Sequence, residues 1–474
     1  MRSIRFGFAL LLSLGFGLCT TAARGQTTAK QLEPYKKVAP EPGEARGKIA
    51  EFKDGKFALT KPTKEDRDVF HAMGQYLVNR VTYAEYLIGP ESTDLKPRPP
   101  EKTVNELIAD LRKFLIVPQA DGKLTLPQED YIRELGIALN KSLAAILLVE
   151  KAKIPPSIIR VNAGRLLAVA CESGAPAHWP TVIGLLKNPE TPPELYFYAL
   201  KGAEGLLGGF DVSRLGRLDA GPEQSETIFH DLIRLLEDAV VKGPPILGKI
   251  YVEGSQSTLV TDPKAKPSTL LPEQIVAIRL YRLQAIRALG RLRNDTVGGK
   301  VKPATEVRPV FTLARVAIGD PAISPAFGNK EIAEAVIGMA RINPGANLNI
   351  DELAIAMAYG TRIVFSAKAS NADDASLPWK GYASRMNAAF QEWQSNCAKN
   401  PRVVVKQKEA INSLVKKAND GLFAPTLNPT AGAGGMNAVQ LAPVDEWLQS
   451  NKPGSDQQLF SDVKTFKLVY GNKQ

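Results

Sequence analysis

The spacing of hydrophobic residues predicts an almost entirely helical chain. From Asp66 onward, apolar residues recur every three or four positions, which places them on one face of a helix. Pro193 and Pro272 stand at predicted helix starts, where a missing backbone N–H costs nothing. The predicted helices are 66–88, 102–116, 128–151, 156–172, 177–187, 193–207, 223–241, 272–293, 305–318, 330–342, 350–367, 379–398 and 402–418.

Three of these helices carry small and apolar residues at matching positions. When Ala163, Ala199 and Ala285 are aligned, the residues at offsets of three, four and seven form one helical face. These residues are Leu166, Leu167 and Ala170 in the first helix, Gly202, Ala203 and Leu206 in the second, and Ala288, Leu289 and Leu292 in the third. The pattern predicts closely stacked helices. The alternative is three ordinary amphipathic helices that share alanines by chance.

The clearest copy of the pattern carries a family resemblance. Arg282 to Asp295 has an Arg-x-x-Ala-x-x-Ala-Leu-Gly core and ends in Arg-Asn-Asp, and it resembles the second helix of a HEAT repeat. The segments 159–173 and 196–208 resemble it less closely, so the resemblance covers about 155–320. It implies an irregular α-solenoid of HEAT-like helix pairs that presents a surface to partners, with no catalytic residues to carry over. The long inserts and uneven period depart from the family, which leaves a compact helical domain as the alternative.

A short segment near the N-terminus predicts the one departure from helix. Asp54-Gly55 lies between two short apolar-bearing runs, which is typical of a two-residue hairpin turn. In that register Phe52 faces Phe57 across the ladder. The predicted fold class is therefore all-α with a small β-hairpin over residues 48–59.

The first 25 residues have the features of an export signal. Arg2 and Arg5 precede an apolar stretch, and small residues flank Arg24 at the expected cleavage site. We therefore expect a secreted mature chain, periplasmic or extracellular, with no transmembrane span. Cleavage removes three arginines and no acidic residue, so the net charge falls from +11 to +8. This charge permits contact with an acidic surface without requiring it.

Composition divides the chain into segments of different character. A long insert at 242–271 is rich in Gly, Pro, Ser and Thr, and loops of this length are often functional or disordered. The glycine-rich stretch before Gly435 is typical of a linker. The predicted segments are a signal peptide at 1–25, a tether with the hairpin at 26–64, a HEAT-like array at 65–345, a C-terminal helical segment at 346–418, and a flexible linker and tail at 419–474.

No motif of a catalytic or metal site was found in the sequence. A structural zinc site needs about four ligands, whereas the histidines are isolated and the two cysteines of the mature chain lie far apart. Spacing alone does not show whether these cysteines pair. We predict no catalytic residue, no metal and no cofactor. The residues concerned are His71, His178, His230, Cys171 and Cys397.

The predicted binding surface lies on the side of the array that carries basic and aromatic side chains, together with the insert at 242–271. Of the consecutive aromatics 196–198, at least one should be exposed, because neighbours on a helix cannot all point inward. The most basic stretch, 399–417, is typical of a solvated helix face or of a contact with an acidic polymer. The expected binding residues are Arg160, Arg165, Lys201, Arg282, Arg287, Tyr196 and Tyr198.

These observations favour an exported, non-catalytic binding or scaffold protein over an enzyme. The expected partner is another protein or an envelope polymer. Nucleic acid is not expected, since the basic stretch has no aromatic residue for base stacking. Two alternatives stay open. One is a glycan-degrading enzyme on a helical toroid, which needs two carboxylates across a shared pocket, and the other is a binder of anionic polymers.

Overall fold

The computed structural model is all-α, as the sequence predicts. It describes residues 43–55, 62–82, 103–115, 124–149, 157–209, 222–243, 272–295, 307–369, 378–428, 439–451, 458–461 and 467–470. Within these ranges no β-strand forms, and extended pairing is limited to isolated bridges such as that between Leu348 and Phe460.

The chain forms two compact units. The first comprises residues 1–214 and 245–274, and the second comprises 215–244 and 275–474. These limits do not coincide with the boundaries expected at residues 64, 345 and 418. The first unit contains α1 (Gly43–Lys53), α2 (Lys64–Thr82), α3 (Val104–Leu115), α4 (Leu126–Leu147), α5 (Ser157–Ala170), α6 (Trp179–Lys187) and α7 (Pro193–Gly209). The second contains α8 (Pro222–Val241), most of α9 (Pro272–Leu289), α10 (Pro309–Ala317), α11 (Asn329–Met339), α12 (Ile350–Ala369), α13 (Trp379–Lys399), α14 (Val405–Ala418), α15 (Ala424–Leu427) and α16 (Ala442–Ser450).

Helix starts follow local signals in the sequence. Prolines occupy the first position of α7, α8, α9 and α10, where no N–H donor is lost. At the start of α3, the Thr103 N–H donates to the Glu106 carboxylate at 2.7 Å, and the Glu106 N–H donates to the Thr103 hydroxyl at 3.3 Å. This reciprocal cap satisfies two backbone donors that the helix leaves free. Because such signals are local, most predicted helix limits match the observed ones to within about four residues; the helix predicted over 66–88 ends at Thr82.

The first unit buries the aligned small-residue face. Ala163 on α5 and Ala199 on α7 are both fully buried, and the two helices pack against each other. A Cβ on Gly205 of α7 would lie 2.9 Å from the backbone carbon of Cys171, closer than side chains approach one another. Small residues therefore set the close approach of these helices. Their arrangement as a HEAT-type solenoid stays a prediction.

The first strand of the predicted hairpin is wrong. Residues 48–53 form the end of α1, and Gly55, with φ of 72°, follows that helix in the left-handed conformation that favours glycine. Phe52 stacks on Phe70 of α2, with ring centroids 5.5 Å apart. The second strand, 56–59, lies outside the described residues.

The second unit is built around α10, α11 and α12, which contact one another. Helix α13 packs on α11, and α14 packs on both α12 and α13. Three buried aromatic residues join these layers: the ring of Phe365 on α12 lies 5.6 Å from that of Phe423, which lies 5.5 Å from that of Phe390 on α13.

Parts of the segment 419–474, where a flexible linker and tail are predicted, form helices. Residues 419–423 form a π-helical turn that buries Phe423, and α15 and α16 follow it. The Asn349 N–H at the start of α12 donates to the carbonyl of Leu459 at 2.9 Å. Apolar side chains on both sides of the glycine-rich stretch thus anchor the tail to the second unit.

Several predictions lie outside the described residues. They concern the signal peptide at 1–25, residues 244–271 of the long insert, and the glycine-rich stretch over 429–438. In the part of the chain that is described, no helix combines the length and apolarity needed to cross a bilayer.

His178 is a buried neutral group in the first unit. Its side chain is fully buried, and neither ring nitrogen has a hydrogen-bond partner among the described residues. Burial lowers the pKa of His178 to about 4, from an ordinary value of 6.5. A Cβ on Gly136 of α4 would lie 3.8 Å from its Nε2, so the imidazole packs directly against that helix.

This burial predicts that the first unit loses stability in acid. Between pH 6.5 and 4 the unfolded chain takes up the proton more readily, so the free energy of unfolding falls as pH falls, by about 3 kcal/mol in total. Hydrogen exchange of peptides from α4 and α6, corrected for intrinsic rates, measures this loss. We expect His178→Leu to flatten the profile, whereas His71→Leu on α2 preserves it. An unchanged profile in His178→Leu would contradict the assignment.

Candidate functional site

The site in the second unit begins with a close crossing within the segment Arg282 to Asp295. Gly290 directly follows α9, and Gly338 lies near the end of α11. A Cβ built on Gly338 would lie 2.7 Å from the Cα of Gly290, and one built on Gly290 would lie 3.0 Å from the Cα of Gly338. The two backbones are therefore in contact, and residues just before and after each glycine face one another.

A buried carboxylate occupies this crossing. Glu334, one turn before Gly338, has a side chain only 3% exposed. The Nε and Nη2 atoms of Arg287 on α9 both lie 2.9 Å from its Oε1. From α13, Arg385 donates to Oε1 at 2.8 Å and to Oε2 at 2.5 Å, and the Tyr382 hydroxyl donates to Oε1 at 3.1 Å. Three helices are thus joined through one carboxylate.

The surrounding cations keep this carboxylate charged. Burial alone would raise the pKa of Glu334, but the hydrogen bonds from Arg385 and the charges of Arg287 and Arg385 outweigh it, so the pKa lies below its ordinary value. The same contacts raise the pKa of Arg385. Bidentate hydrogen bonds between arginine and a carboxylate are strong, and they also fix the orientation of the guanidinium group. Glu334 therefore positions two guanidinium groups that remain partly exposed.

The turns after α9 and α11 bring two further arginines to the crossing. Asn294 and Asn343 form a parallel bridge, and the Asn343 N–H donates to the carbonyl of Arg293 at 2.7 Å. This pairing places Arg291 of one turn near Arg341 of the other. Burial lowers the pKa of Arg341, the charge of Arg291 lowers it further, and Arg385 also contributes. Like charges are therefore crowded around Arg341.

Arg341 differs from Arg287 and Arg385 in its hydrogen-bond and ion-pair partners. Its side chain is half-buried, and among the described residues it makes no hydrogen bond or ion pair. Glu392 and Glu334 oppose the lowering of its pKa only in part, and Glu392 is itself paired with Arg293 at 2.7 Å. A guanidinium carries five N–H donors and needs acceptors when it is removed from water.

We call this group the arginine cluster, defined as Arg287, Arg291, Arg341 and Arg385 around Glu334. Arg287 and Arg385 bind the Glu334 carboxylate, whereas Arg341 has no ion pair among the described residues and lies near the charges of Arg291 and Arg385, where water is partly excluded. Arginine is suited to bind carboxylate, sulfate or phosphate groups, because its planar donors match two oxygens at once. The arrangement can hold an anion, and it offers no nucleophile for covalent chemistry.

One predicted binding residue takes a different role. Arg282 is completely buried, whereas the prediction places it on the binding surface. Its Nη1 and Nη2 donate to the carbonyls of Pro325 and Ser324 at 2.6 and 2.5 Å, and its guanidinium lies 5.0 Å from the ring centre of Phe327. The placement is therefore corrected: Arg282 fixes the loop before α11, which in turn places Glu334.

The predicted residues of the first unit lie on α5 and α7. Arg165 lies near Tyr198, whose pKa is raised by burial and lowered in part by the Arg165 charge. Lys201 is exposed and lies 5.3 Å from the ring centre of Phe197, and Arg160 is half-buried. Tyr196 is 1% exposed, so its placement on a surface is wrong, while Tyr198 remains partly exposed. The binding roles of the other residues stay predictions.

The two cysteines that the structure describes, which are the other side chains with reactive groups, do not lie together. Cys171 lies in the first unit and Cys397 in the second, and both are buried, free thiols. Burial raises the pKa of the Cys397 thiol to about 12, so it carries no nucleophilic thiolate at neutral pH. Over the described ranges, no group of three or more His, Cys, Asp or Glu residues could hold a metal ion.

The sequence reasoning missed three members of the cluster and its carboxylate. Arg291, Arg341 and Arg385 look like ordinary exposed cations in a basic chain. A signal was available at Glu334, which stands alone between apolar residues in the run Ile332 to Ala340. An isolated acid in a helix that is apolar on all sides must be buried, and a buried carboxylate needs cations nearby.

No protein-family model matches the chain, and no match was found among curated proteins or solved structures.

Proposed function

We propose that this is a non-catalytic binding protein that holds an anionic group of its partner in the arginine cluster. The observation that carries the proposal is Arg341, a half-buried arginine beside Arg291 and Arg385 that has no ion pair among the described residues. An incoming carboxylate, sulfate or phosphate would accept the donors of Arg341 and relieve the repulsion among the three guanidinium groups.

The prearranged geometry supports binding at this place. Glu334 holds Arg287 and Arg385 through bonds of 2.5 to 2.9 Å, so their side chains lose little freedom when an anion arrives. The contact between Gly290 and Gly338 keeps the two turns together. An exported scaffold with a HEAT-like surface fits this proposal, since such arrays bind partners through exposed faces.

The glycan-degrading alternative stays a prediction. It requires two carboxylates across a shared pocket, whereas the arginine cluster contains one carboxylate, Glu334, and arginines hold both of its oxygens. The alternative of an anionic-polymer binder is compatible with the cluster, because a sulfated or phosphorylated polymer presents the same chemical group as an acidic protein partner.

Arg341→Gln tests the proposal directly. We expect it to weaken binding of inorganic sulfate or heparin about tenfold, the effect of losing one charge-assisted hydrogen bond, measured by titration calorimetry. A poly-glutamate peptide in a parallel titration distinguishes a carboxylate-bearing partner from a sulfated or phosphorylated one. Folding is checked by thermal unfolding, which this half-buried position should change little.

Lys380→Gln is the matched control, because it removes one charge from an exposed position on α13. It should leave the dissociation constants within about twofold of the wild-type values. Equal losses in Arg341→Gln and Lys380→Gln would show that net charge alone governs binding, and the proposal would then be rejected.

A further inference from the structure

The turn between α13 and α14 exposes adjacent apolar side chains. We call residues 398–406 the α13–α14 tip. Val404 is 58% exposed and Val405 is 71% exposed, and these two large apolar side chains are adjacent. Ala398 and Pro401 are exposed beside them. Single exposed apolar residues are common on protein surfaces, but a contiguous apolar group indicates a contact.

The tip is held rigidly by hydrogen bonds. The Asn400 side chain donates to the carbonyl of Pro344 at 3.0 Å and accepts from the Arg402 N–H at 2.9 Å. Lys408 donates to the carbonyl of Ala398 at 2.9 Å and so closes the base of the turn. Val403 points inward and is only 3% exposed. The outward position of the next two valines is therefore fixed by the fold.

Three cations surround the exposed valines. Lys399, Arg402 and Lys406 are exposed, and among the described residues their side chains form no ion pair. The acidic groups facing this region are Glu409, exposed one turn further along α14, and Asp351, which accepts from Gln407 at 3.2 Å. The tip itself, from 398 to 406, contains no acidic residue. Apolar and cationic side chains thus occupy the same exposed surface.

We propose that the α13–α14 tip docks the protein onto an anionic lipid bilayer. The valines would enter the boundary between headgroups and acyl chains, and the three cations would remain at the level of the lipid phosphates. An anionic bilayer supplies hydrocarbon directly beneath a continuous layer of negative charge, which matches adjacent exposed valines ringed by cations. The tip shares no residue with the arginine cluster, so each surface can be altered without substituting a residue of the other.

Sedimentation with vesicles tests the proposal with the full chain. We expect the protein to bind vesicles of phosphatidylcholine with 30% phosphatidylglycerol more tightly than pure phosphatidylcholine by about tenfold or more, an effect of three cations near the surface. Lys399→Gln/Arg402→Gln/Lys406→Gln should abolish that preference. The matched variant Lys48→Gln/Lys380→Gln/Lys416→Gln removes three exposed lysines elsewhere and should retain most of it.

The apolar part is tested separately. Val404 and Val405 occupy the cap and first position of α14, where serine is well accepted, so Val404→Ser/Val405→Ser should fold normally. We expect it to weaken vesicle binding about fivefold, with most of the loss persisting at high salt, because the lost contact is apolar.

A local probe identifies the part of the protein that touches the lipid. An environment-sensitive dye attached to Val405→Cys should shift its emission to shorter wavelength when anionic vesicles are added, while the same dye at Lys416→Cys should not. Arg341→Gln should bind vesicles like the wild type, which separates this proposal from the arginine cluster. Equal binding to both vesicle types would overturn the proposal. It would also be overturned if ultracentrifugation without lipid showed that the labelled Val405→Cys protein self-associates and that this self-association causes the emission shift.

Discussion

Gly338→Ala is expected to destabilise the second unit by about 2–3 kcal/mol. The new methyl group would lie 2.7 Å from the Cα of Gly290 and 3.1 Å from the Leu313 side chain. Leu313 can adjust, but the backbone at Gly290 can yield only if α9 and α11 separate. Alanine is the better helix former by roughly 1 kcal/mol, which offsets part of the steric loss without changing its sign.

Two further variants give a ranked comparison. Gly290→Ala should cost less, about 1–2 kcal/mol, because its Cβ meets the opposite Cα at 3.0 Å. Gly381→Ala on α13 has no heavy atom within 4 Å of the added Cβ and should be neutral or stabilising by up to about 1 kcal/mol. Hydrogen exchange of peptides from α9 and α11 measures these changes within the second unit. A Gly338→Ala protein as stable as Gly381→Ala would mean that the two backbones are not in contact.

Gly338→Ala should also weaken the binding of anions to the arginine cluster. If α9 and α11 separate, the turn that carries Arg291 moves away from the turn that carries Arg341. Binding of sulfate should then fall together with stability, whereas Arg341→Gln lowers binding alone. The glycine contact therefore connects the segment Arg282 to Asp295 to the proposed anion site.

Much of the helical architecture could be predicted because its causes are local. Proline at helix starts, reciprocal caps such as Thr103 with Glu106, and apolar periodicity all act within a few residues. The error at Asp54-Gly55 has a physical reason. Glycine with positive φ ends a helix as readily as it forms a hairpin turn, and the choice depended on Phe52 packing on Phe70, a contact between separate segments.

The arginine cluster could not be predicted because it depends on distant contacts. Arg282 and Arg287 lie five residues apart on the same helix and so point to different faces of it. One is buried under a loop more than 40 residues away and the other pairs with Glu334. Which arginine is structural and which is available is decided by the crossing of α9, α11 and α13, and periodicity on a single helix carries no information about that crossing.

Glu334→Gln should produce opposite effects on stability and binding. The change keeps an oxygen acceptor but leaves Arg287 and Arg385 without a full counter-charge, which costs about 2 kcal/mol. Removing one partner of a fully buried pair costs more, but these arginines are 31% and 44% exposed, and water screens them. Affinity for sulfate should rise, because an incoming anion no longer competes with the carboxylate.

Glu331→Gln, one turn earlier on α11, is the matched control. Glu331 is equally buried, but burial raises its pKa to about 7, and its contact with Arg279 is long, at 3.9 Å. Glu331 is therefore only partly ionised at neutral pH, so glutamine removes less charge there than at Glu334 and should change sulfate affinity and stability less. The two variants are compared by their free energies of unfolding in denaturant, with and without sulfate. Hydrogen exchange of peptides from α9 and α11 reports the unfolding of this region.

The two glutamates also differ in how pH alters the effect of substitution. The lowered pKa of Glu334 means that its stabilising contribution is present above the ordinary value of 4.5 and is lost as pH falls through the folded-state pKa. Glu331 behaves in the opposite way: its contribution is complete below 4.5 and is lost as pH rises through about 7. Glu334→Gln should therefore be most destabilising at pH 7 to 8, where Glu331→Gln approaches or exceeds wild-type stability. Added sulfate should restore Glu334→Gln more than the wild type, because a ligand that binds only the folded state stabilises it more at a given concentration when its Kd is lower. A Glu334→Gln protein insensitive to sulfate would show that the cluster is only a structural ion pair.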